Sequence, residues 1–194
     1  AEVHLLSNGR RFADDAFAQS YAQVATSRLM VGIPIYGAEA FIHDEVVRAA
    51  GAFNETIRGV LNLAALGVAV ELRLVVHRMT APVLVETAEY IARNLPFVAQ
   101  VAVMGLEIMG FARANLDAVW IDPWDYRFEL AEATHLLETA GVPTMVYNHP
   151  LCLLLPSVRH LAVKSISDWK NQMMPECDRC AARSECAGFF KSAK

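Results

Sequence analysis

Between Gly51 and His77 the chain reads "GAFNETIRGVLNLAALG" and then "VAVELRLVVH", and the repeat of its apolar residues changes at Gly67. In the first stretch Phe53, Ile57, Val60, Leu61 and Ala64 fall on one helical face, with Gly67 as the C-terminal stop. In the second, Val68, Val70, Leu72, Leu74 and Val76 alternate with Ala69, Glu71, Arg73 and Val75, the period of a strand. This change of period recurs along the chain and constrains its fold more than any other feature. "VHLLSNG" reads as a strand and "DDAFAQSYAQVAT" as a helix with Asp14 or Asp15 in its first turn, where a carboxylate favours the helix dipole. "RLMVGIPIYG" is a short buried strand whose Pro34 lacks a ladder donor and so marks a strand end or bulge. "APVLVETAEYIARNL" is a helix with proline in its first turn, and "FVAQVAVMGLE" a fourth strand. Asp122-Pro123 open a long helix, "PWDYRFELAEATHLLETAG", that stops at Gly141, and "VPTMVYN" is a fifth strand.

Strands alternating with amphipathic helices imply parallel βαβ units and an α/β fold. An open doubly wound sheet and a segment of a (β/α) barrel both satisfy the pattern, and periodicity does not choose between them. After Cys152 the alternation is lost, and "SVRHLAVKSISDWKNQMMPE" reads as a mixed, partly helical connection. The domain boundary therefore falls near 150, dividing 1–150 from 151–194.

The 194 residues suffice for one large domain with a real core, and 55% apolar with 20% charged residues is a globular balance. The net charge of −4 with no basic stretch gives no electrostatic footprint for nucleic acid. No apolar run reaches the length of a membrane span, and nothing at the start resembles a signal peptide. Four cysteines in such a chain point to a reducing compartment, the cytoplasm by default. The sequence enters a strand pattern at Val3 with no methionine before it, which suggests the rear of something longer.

Three of the four cysteines lie in the last eighteen residues, in "CDRCAARSEC". The Cys177-x2-Cys180 spacing lets two thiolates grip one metal. Cys186 can come from the same turn, and Cys152 can reach in from the exit of the fifth strand. Four thiolates suit tetrahedral zinc or an iron–sulfur cluster, and spacing alone leaves both open. The alternatives are a redox dithiol and small buried residues. A dithiol would open a helix after the first strand of its fold, and this pair sits at the other end of the chain.

Other candidates are weaker. Arg73 and Glu107 are charges on expected strands, at home either at a site by the strand ends or in structural ion pairs. His77 ends the third strand. His149 either lines a metal site or, more in keeping with its residue type, lies on the surface. His43-Asp44 reads as a cap of the helix after the second strand. Trp120, Trp124 and Trp169 are either core or a shield for a cluster.

Several stretches together resemble the radical S-adenosylmethionine (SAM) superfamily. "LLSNGR" is similar to the "TNG" end of the third barrel strand in these enzymes. "VGIPIYGAEAFIHDEVVRAAGAFNETIRGVLNLAALGVAVELRLVVHR" resembles their fourth strand, helix and fifth strand. "NLPFVAQVAVMGLEIMGFARANLDAVWIDPWDY", "YNHPLC" and the "KSISDWKN" stretch with its C-x2-C-x5-C-x-GFF tail are similar to one subgroup, the maturases of the His-Xaa-Ser repeat peptide system, in particular the C-type member. The resemblance implies a partial (β/α) barrel that cleaves SAM reductively and uses the adenosyl radical to abstract hydrogen from a ribosomally made peptide, with room for a partner maturase. It also implies a C-terminal auxiliary 4Fe–4S cluster of the twitch or SPASM kind, held by Cys152, Cys177, Cys180 and Cys186. Pro34, Arg73 and Glu107 fall where relatives contact SAM: Pro34 by its backbone, Arg73 at the cofactor's carboxylate, Glu107 near the adenosine. Ser7 and Asn8 fall on the substrate side.

The departure is large. The family's C-x3-C-x2-C loop, which holds the 4Fe–4S cluster that cleaves SAM, is absent, and no cysteine precedes position 152. The first two strands and the glycine-rich motif after the second are absent too. The resemblance thus implies the rear part of an enzyme, inactive by itself. A zinc-stabilised α/β module that binds a partner without catalysis is the competing reading, and a thiol redox protein a third.

Overall fold

Residues 69–76 form the centre of the molecule because every second side chain is apolar and every strand around them is parallel. A computed structural model describes residues 3–26 and 28–193. The strands run β1 (Val3–Leu6), β2 (Leu29–Pro34), β3 (Ala69–Val76), β4 (Gln100–Gly105), β5 (Thr144–Tyr147) and β6 (Ala162–Val163), hydrogen-bonded in that spatial order and all parallel. The helices are α1 (Asp15–Val24), α2 (Ala40–Val47), α3 (Ala52–Ala65), α4 (Leu84–Asn94), the short α5 (Phe111–Ala114) and α6 (Leu116–Val119), and α7 (Arg127–Thr139).

The spatial order answers what the pattern left open. A doubly wound sheet reverses its strand order part-way and carries helices on both faces. Here the order never reverses. Val31, Ile33, Val70, Leu72, Leu74, Val101, Val103 and Val146 form one buried cluster with Phe53, Val60 and Leu63 of α3, Ala88 and Ile91 of α4, and Leu130, Ala133 and Leu137 of α7. The alternate residues of the same strands, among them Gly32, Glu71, Arg73, Gln100 and Met104, lie outside that cluster. The sheet is an open arc of the (β/α)-barrel kind, with helices outside and a mixed concave face on which Glu71, Arg73 and Gln100 stand among Met30, Val75 and Met104.

Local chemistry sets the ends of the elements. Asp14 is the N-cap of α1, its carboxylate accepting the Phe17 N–H at 2.8 Å, and Asp15 occupies the first turn. Pro34 is the last residue of β2, opposite Arg73. The expected capping role of His43-Asp44 is corrected. Asp44 caps the following helix α3, accepting the Gly51 and Phe53 N–H groups at 2.6 and 2.8 Å, and these bonds, the Phe53 bond foremost, hold its carboxyl below the usual range. His43 is buried inside α2, its ring edge against Phe53 and tilted to Tyr36.

The buried face of α3 also differs from the expected one. Phe53, Thr56, Gly59, Val60 and Leu63 are buried and Leu61 is 44% exposed. Gly59 explains the rotation: a methyl group there would collide with the Gly9 carbonyl oxygen, so only glycine lets α3 close on the turn after β1. The long helix begins four residues later than Pro123, at Arg127, because the Asp122 side chain accepts the Trp124 N–H at 2.8 Å and holds a turn.

Past 150 the expected helix is replaced by short 3-10 turns at Leu151–Leu153, Arg159–Leu161 and Pro175–Arg179. Strand β6 closes the sheet from this region, and a small antiparallel pair, β7 (Asn171–Gln172) with β8 (Phe189–Phe190), follows. No described helix is long and apolar enough to cross a membrane.

Candidate functional site

The carboxyl ends of parallel strands collect exposed backbone and the side chains that follow each strand, so ligands gather there. A cavity of ≈ 520 Å³ opens at that end of the concave face, within the usual range for small-molecule sites. Its wall includes Ser7 and Asn8 after β1, Pro34 at the end of β2, Arg73 on β3 and Glu107 after β4. These five residues, spread over a hundred positions, were all named from the sequence. Gly32 and Asn148 complete the polar part of the wall.

The two charges expected to be either site residues or ion-pair partners are both paired, and both line the cavity. Arg73 Nε lies 2.5 Å from Glu71 Oε1. Glu71 is only 1% exposed, and its second oxygen accepts from Gln100 Nε2. Both oxygens of this buried carboxyl thus have hydrogen-bond partners, as burial of a polar group demands. Burial, and behind it the Glu71 charge, push the neighbouring Tyr147 phenol above its ordinary range. Glu107 is held by Lys170, 2.9 Å away and 63 residues on. At the far wall Asn148 adopts φ 64°, a left-handed backbone that asparagine tolerates. Its side chain donates to the Gly105 carbonyl at 3.3 Å and accepts from Ser165 at 3.1 Å, joining the ends of β4 and β5 to the segment after β6.

A second, smaller cavity of ≈ 290 Å³ lies between the exit of β5 and the C-terminal segment. All four cysteines, Cys152, Cys177, Cys180 and Cys186, line it, together with Arg159, Met173, Arg183 and Phe189. None is in a disulfide. Cys186 Sγ accepts two backbone N–H bonds at 3.3 Å, from Leu151 and Gly188, which fix that sulfur. Burial raises the Cys152 thiol above its ordinary range, and the nearby Cys186, Cys177 and Cys180 add to the shift. The sulfurs share one cavity, yet among the described residues no three His, Cys, Asp or Glu side chains are arranged to hold a single ion. A donor set of four thiols is chemically compatible with either tetrahedral zinc or an iron–sulfur cluster.

The remaining candidates move. His149 is neither at the surface nor in the wall of the cysteine cavity. It is 2% exposed, its Nδ1–H donates to the Tyr147 carbonyl and its Nε2 meets the Tyr126 hydroxyl, both at 2.8 Å. The carbonyl can only accept, which fixes the tautomer. Burial lowers its pKa to about 4. His77 is likewise buried and lowered to about 4 by desolvation, with Nδ1 accepting the Met79 N–H at 3.3 Å. No tryptophan lines the cysteine cavity: Trp120 is half-buried, Trp124 stacks under the Arg127 guanidinium at 3.8 Å, and Trp169 is 70% exposed. Glu71, Gln100 and Lys170 escaped the sequence reading. Glu71 is one of the residues alternating with the apolar ones on its strand and nothing local sets it apart, and no local signal links Lys170 to Glu107.

No family model and no curated protein matches the sequence. Among solved structures the chain is similar to the crystal structure of a radical SAM methyltransferase from Sphaerobacter thermophilus. The TM-score is 0.52 at 12% identity, over 74% of this chain and 39% of that one. The chain thus spans well under half the length of that enzyme, and at this identity the likeness is one of fold.

Proposed function

We propose that this chain provides the SAM-facing rear strands and the auxiliary-cluster segment of a radical SAM enzyme that modifies a ribosomally made peptide of the His-Xaa-Ser repeat class, in the cytoplasm. The observation that carries this reading is one cavity at the carboxyl ends of the strands. It gathers Ser7, Asn8, Pro34, Arg73 and Glu107, which the family resemblance selects on other grounds, in a sheet whose fold is like that of a radical SAM enzyme.

In this reading residues 1–150 are the partial barrel and 151–194 the auxiliary extension. The Arg73 guanidinium, fixed at Nε by Glu71, turns its terminal nitrogens to the cofactor's carboxylate, a pairing whose planar geometry favours arginine. Backbone at Pro34 borders the amino acid part, and Glu107, steadied by Lys170, borders the adenosine. Ser7 and Asn8 face the peptide, which lies across the open side of the arc, alone or with a partner maturase. Cys152, Cys177, Cys180 and Cys186 hold the auxiliary 4Fe–4S cluster, whose bound form supplies a ligating or electron-transfer centre. Reductive cleavage of SAM needs an iron with a free coordination site. No cysteine precedes Cys152, so the cluster with that iron comes from outside these 194 residues.

Anaerobic reconstitution of the 194 residues with iron and sulfide tests the assignment. We expect a brown protein with about four irons per chain and broad absorption at about 400 nm. SAM should bind without yielding 5′-deoxyadenosine. One tightly bound zinc in a colourless protein would transfer the case to the partner-binding module, and a metal-free Cys177–Cys180 disulfide to a thiol redox protein. Turnover to 5′-deoxyadenosine by the chain alone would refute the need for an outside cluster.

A further inference from the structure

On the concave face, the strand register puts Gly32, Glu71 and Gln100 side by side in one row, and Pro34, Arg73 and Ala102 in the next row toward the cavity. Both oxygens of the Glu71 carboxylate are used, one by Arg73 Nε at 2.5 Å and the other by Gln100 Nε2. Among the described residues Arg73 makes no other hydrogen bond, so the edge of its guanidinium that carries both terminal nitrogens is free for a ligand. Gly32 makes room for this arrangement. A Cβ there would stand 2.9 Å from Arg73 Nε, 3.0 Å from a Leu6 methyl and 3.4 Å from Glu71 Oε1. The four residues come from three strands, and Gly32, Glu71 and Gln100 lie outside the apolar cluster beneath the helices.

We infer that Glu71 is a positioning residue for ligand selection. Held by Gln100 in a space that only glycine at 32 leaves open, it fixes the Arg73 guanidinium so that the cavity prefers ligands bearing an α-amino acid carboxylate. Arginine alone would sample several rotamers in a cavity this open, and one Nε bond to an immobile carboxylate removes most of that freedom. The inference rests on the reading of this cavity as the SAM site and adds the residues that give the site its preference for the carboxylate end.

Equilibrium dialysis of the folded 194-residue chain against SAM and against 5′-methylthioadenosine tests it. The second ligand keeps the adenosine and thioether and lacks the amino acid end. The wild type should prefer SAM by about tenfold or more, the worth of a charged hydrogen-bonded contact. Glu71→Gln should remove most of that preference while leaving 5′-methylthioadenosine binding within about twofold. A merely structural role would weaken both ligands together. Gly32→Ala, which keeps every polar side chain and displaces the guanidinium, is the second variant, with the same loss expected. A preference retained in either variant, at a melting temperature near that of the wild type, overturns the inference alone. A wild type that binds neither ligand overturns the SAM reading of the cavity and this inference with it.

Discussion

The arc from Val3 to Tyr147 and the segment beyond Cys152 solve the stability problem differently. In the arc, strand and helix residues form one continuous apolar cluster, from Phe12 through Leu72 to Val146. Beyond Cys152 the described buried hydrophobics are Leu154, Val158, Ile166 and Ala187, and the first two still belong to the arc's cluster. What remains is two-residue strands, 3-10 turns and a cavity ringed by sulfur. Apolar area removed from water stabilises the first region, while the second buries too little to order itself by that route. Under the proposed function that order would come from ligation at the cysteines, as in small metal-bound modules.

The largest effect expected from this contrast is in the arc. Leu72→Ala, at the fully buried centre of β3, should lower stability by about 2–5 kcal/mol in urea denaturation. Trp169→Ala, at an exposed position of the extension, should change it by less than about 0.5 kcal/mol. Equal shifts of the two midpoints would end the distinction.

Next in size is a pH effect carried by the buried histidines. His77 and His149 titrate near 4 when folded, against an ordinary value of 6.5. The unfolded chain therefore takes up these protons first as pH falls. Their contribution is complete above pH 6.5, is lost as pH drops from 6.5 toward 4, and changes no further below that. Between pH 7 and pH 5 each should cost about 2 kcal/mol, read as a fall in urea midpoint. A midpoint as high at pH 5 as at pH 7 contradicts the buried neutral state of both rings.

Removing the metal from reconstituted protein sharpens the comparison. Backbone amides of 171–190 should then exchange about tenfold faster or more, and those of 69–76 and 100–105 should stay as protected as before. Uniform loss of protection would mean that the two regions fold as one unit. The smallest effect belongs to the seam between them. Lys170→Gln, which frees Glu107, should cost about 1 kcal/mol, and that cost should shrink as salt is added, because each side chain of the pair keeps about a quarter of its surface in water.

The arc was largely legible from local pattern. Strands and helices fell near their expected places because the period of apolar residues is set by backbone geometry, and that geometry acts over a few residues. The ends were less so. Asp44 reached past its own helix to cap α3, and Asp122 delayed α7 by a turn, because short polar side chains choose among nearby N–H groups only once the chain has folded back. The face of α3 turned away from Leu61 because Gly59 admits the Gly9 carbonyl, a contact across 50 residues. Of the site, residues with unusual chemistry for their setting, such as Arg73, Glu107 and the cysteines, could be named in advance, but their partners could not.

The sequence by itself determined the main strands and helices before 150, that they alternate in parallel units, and that sulfur is concentrated at the end of the chain, since each of these is written in spacing and residue type. Tertiary structure alone decided that the strand order never reverses, that Glu71 stands behind Arg73, that Lys170 meets Glu107, and that Cys152 shares a cavity with three cysteines at least 25 residues away. Those outcomes depend on which faces pack and how strands register, and both are fixed by the summed burial of the whole sheet rather than by any one stretch of it.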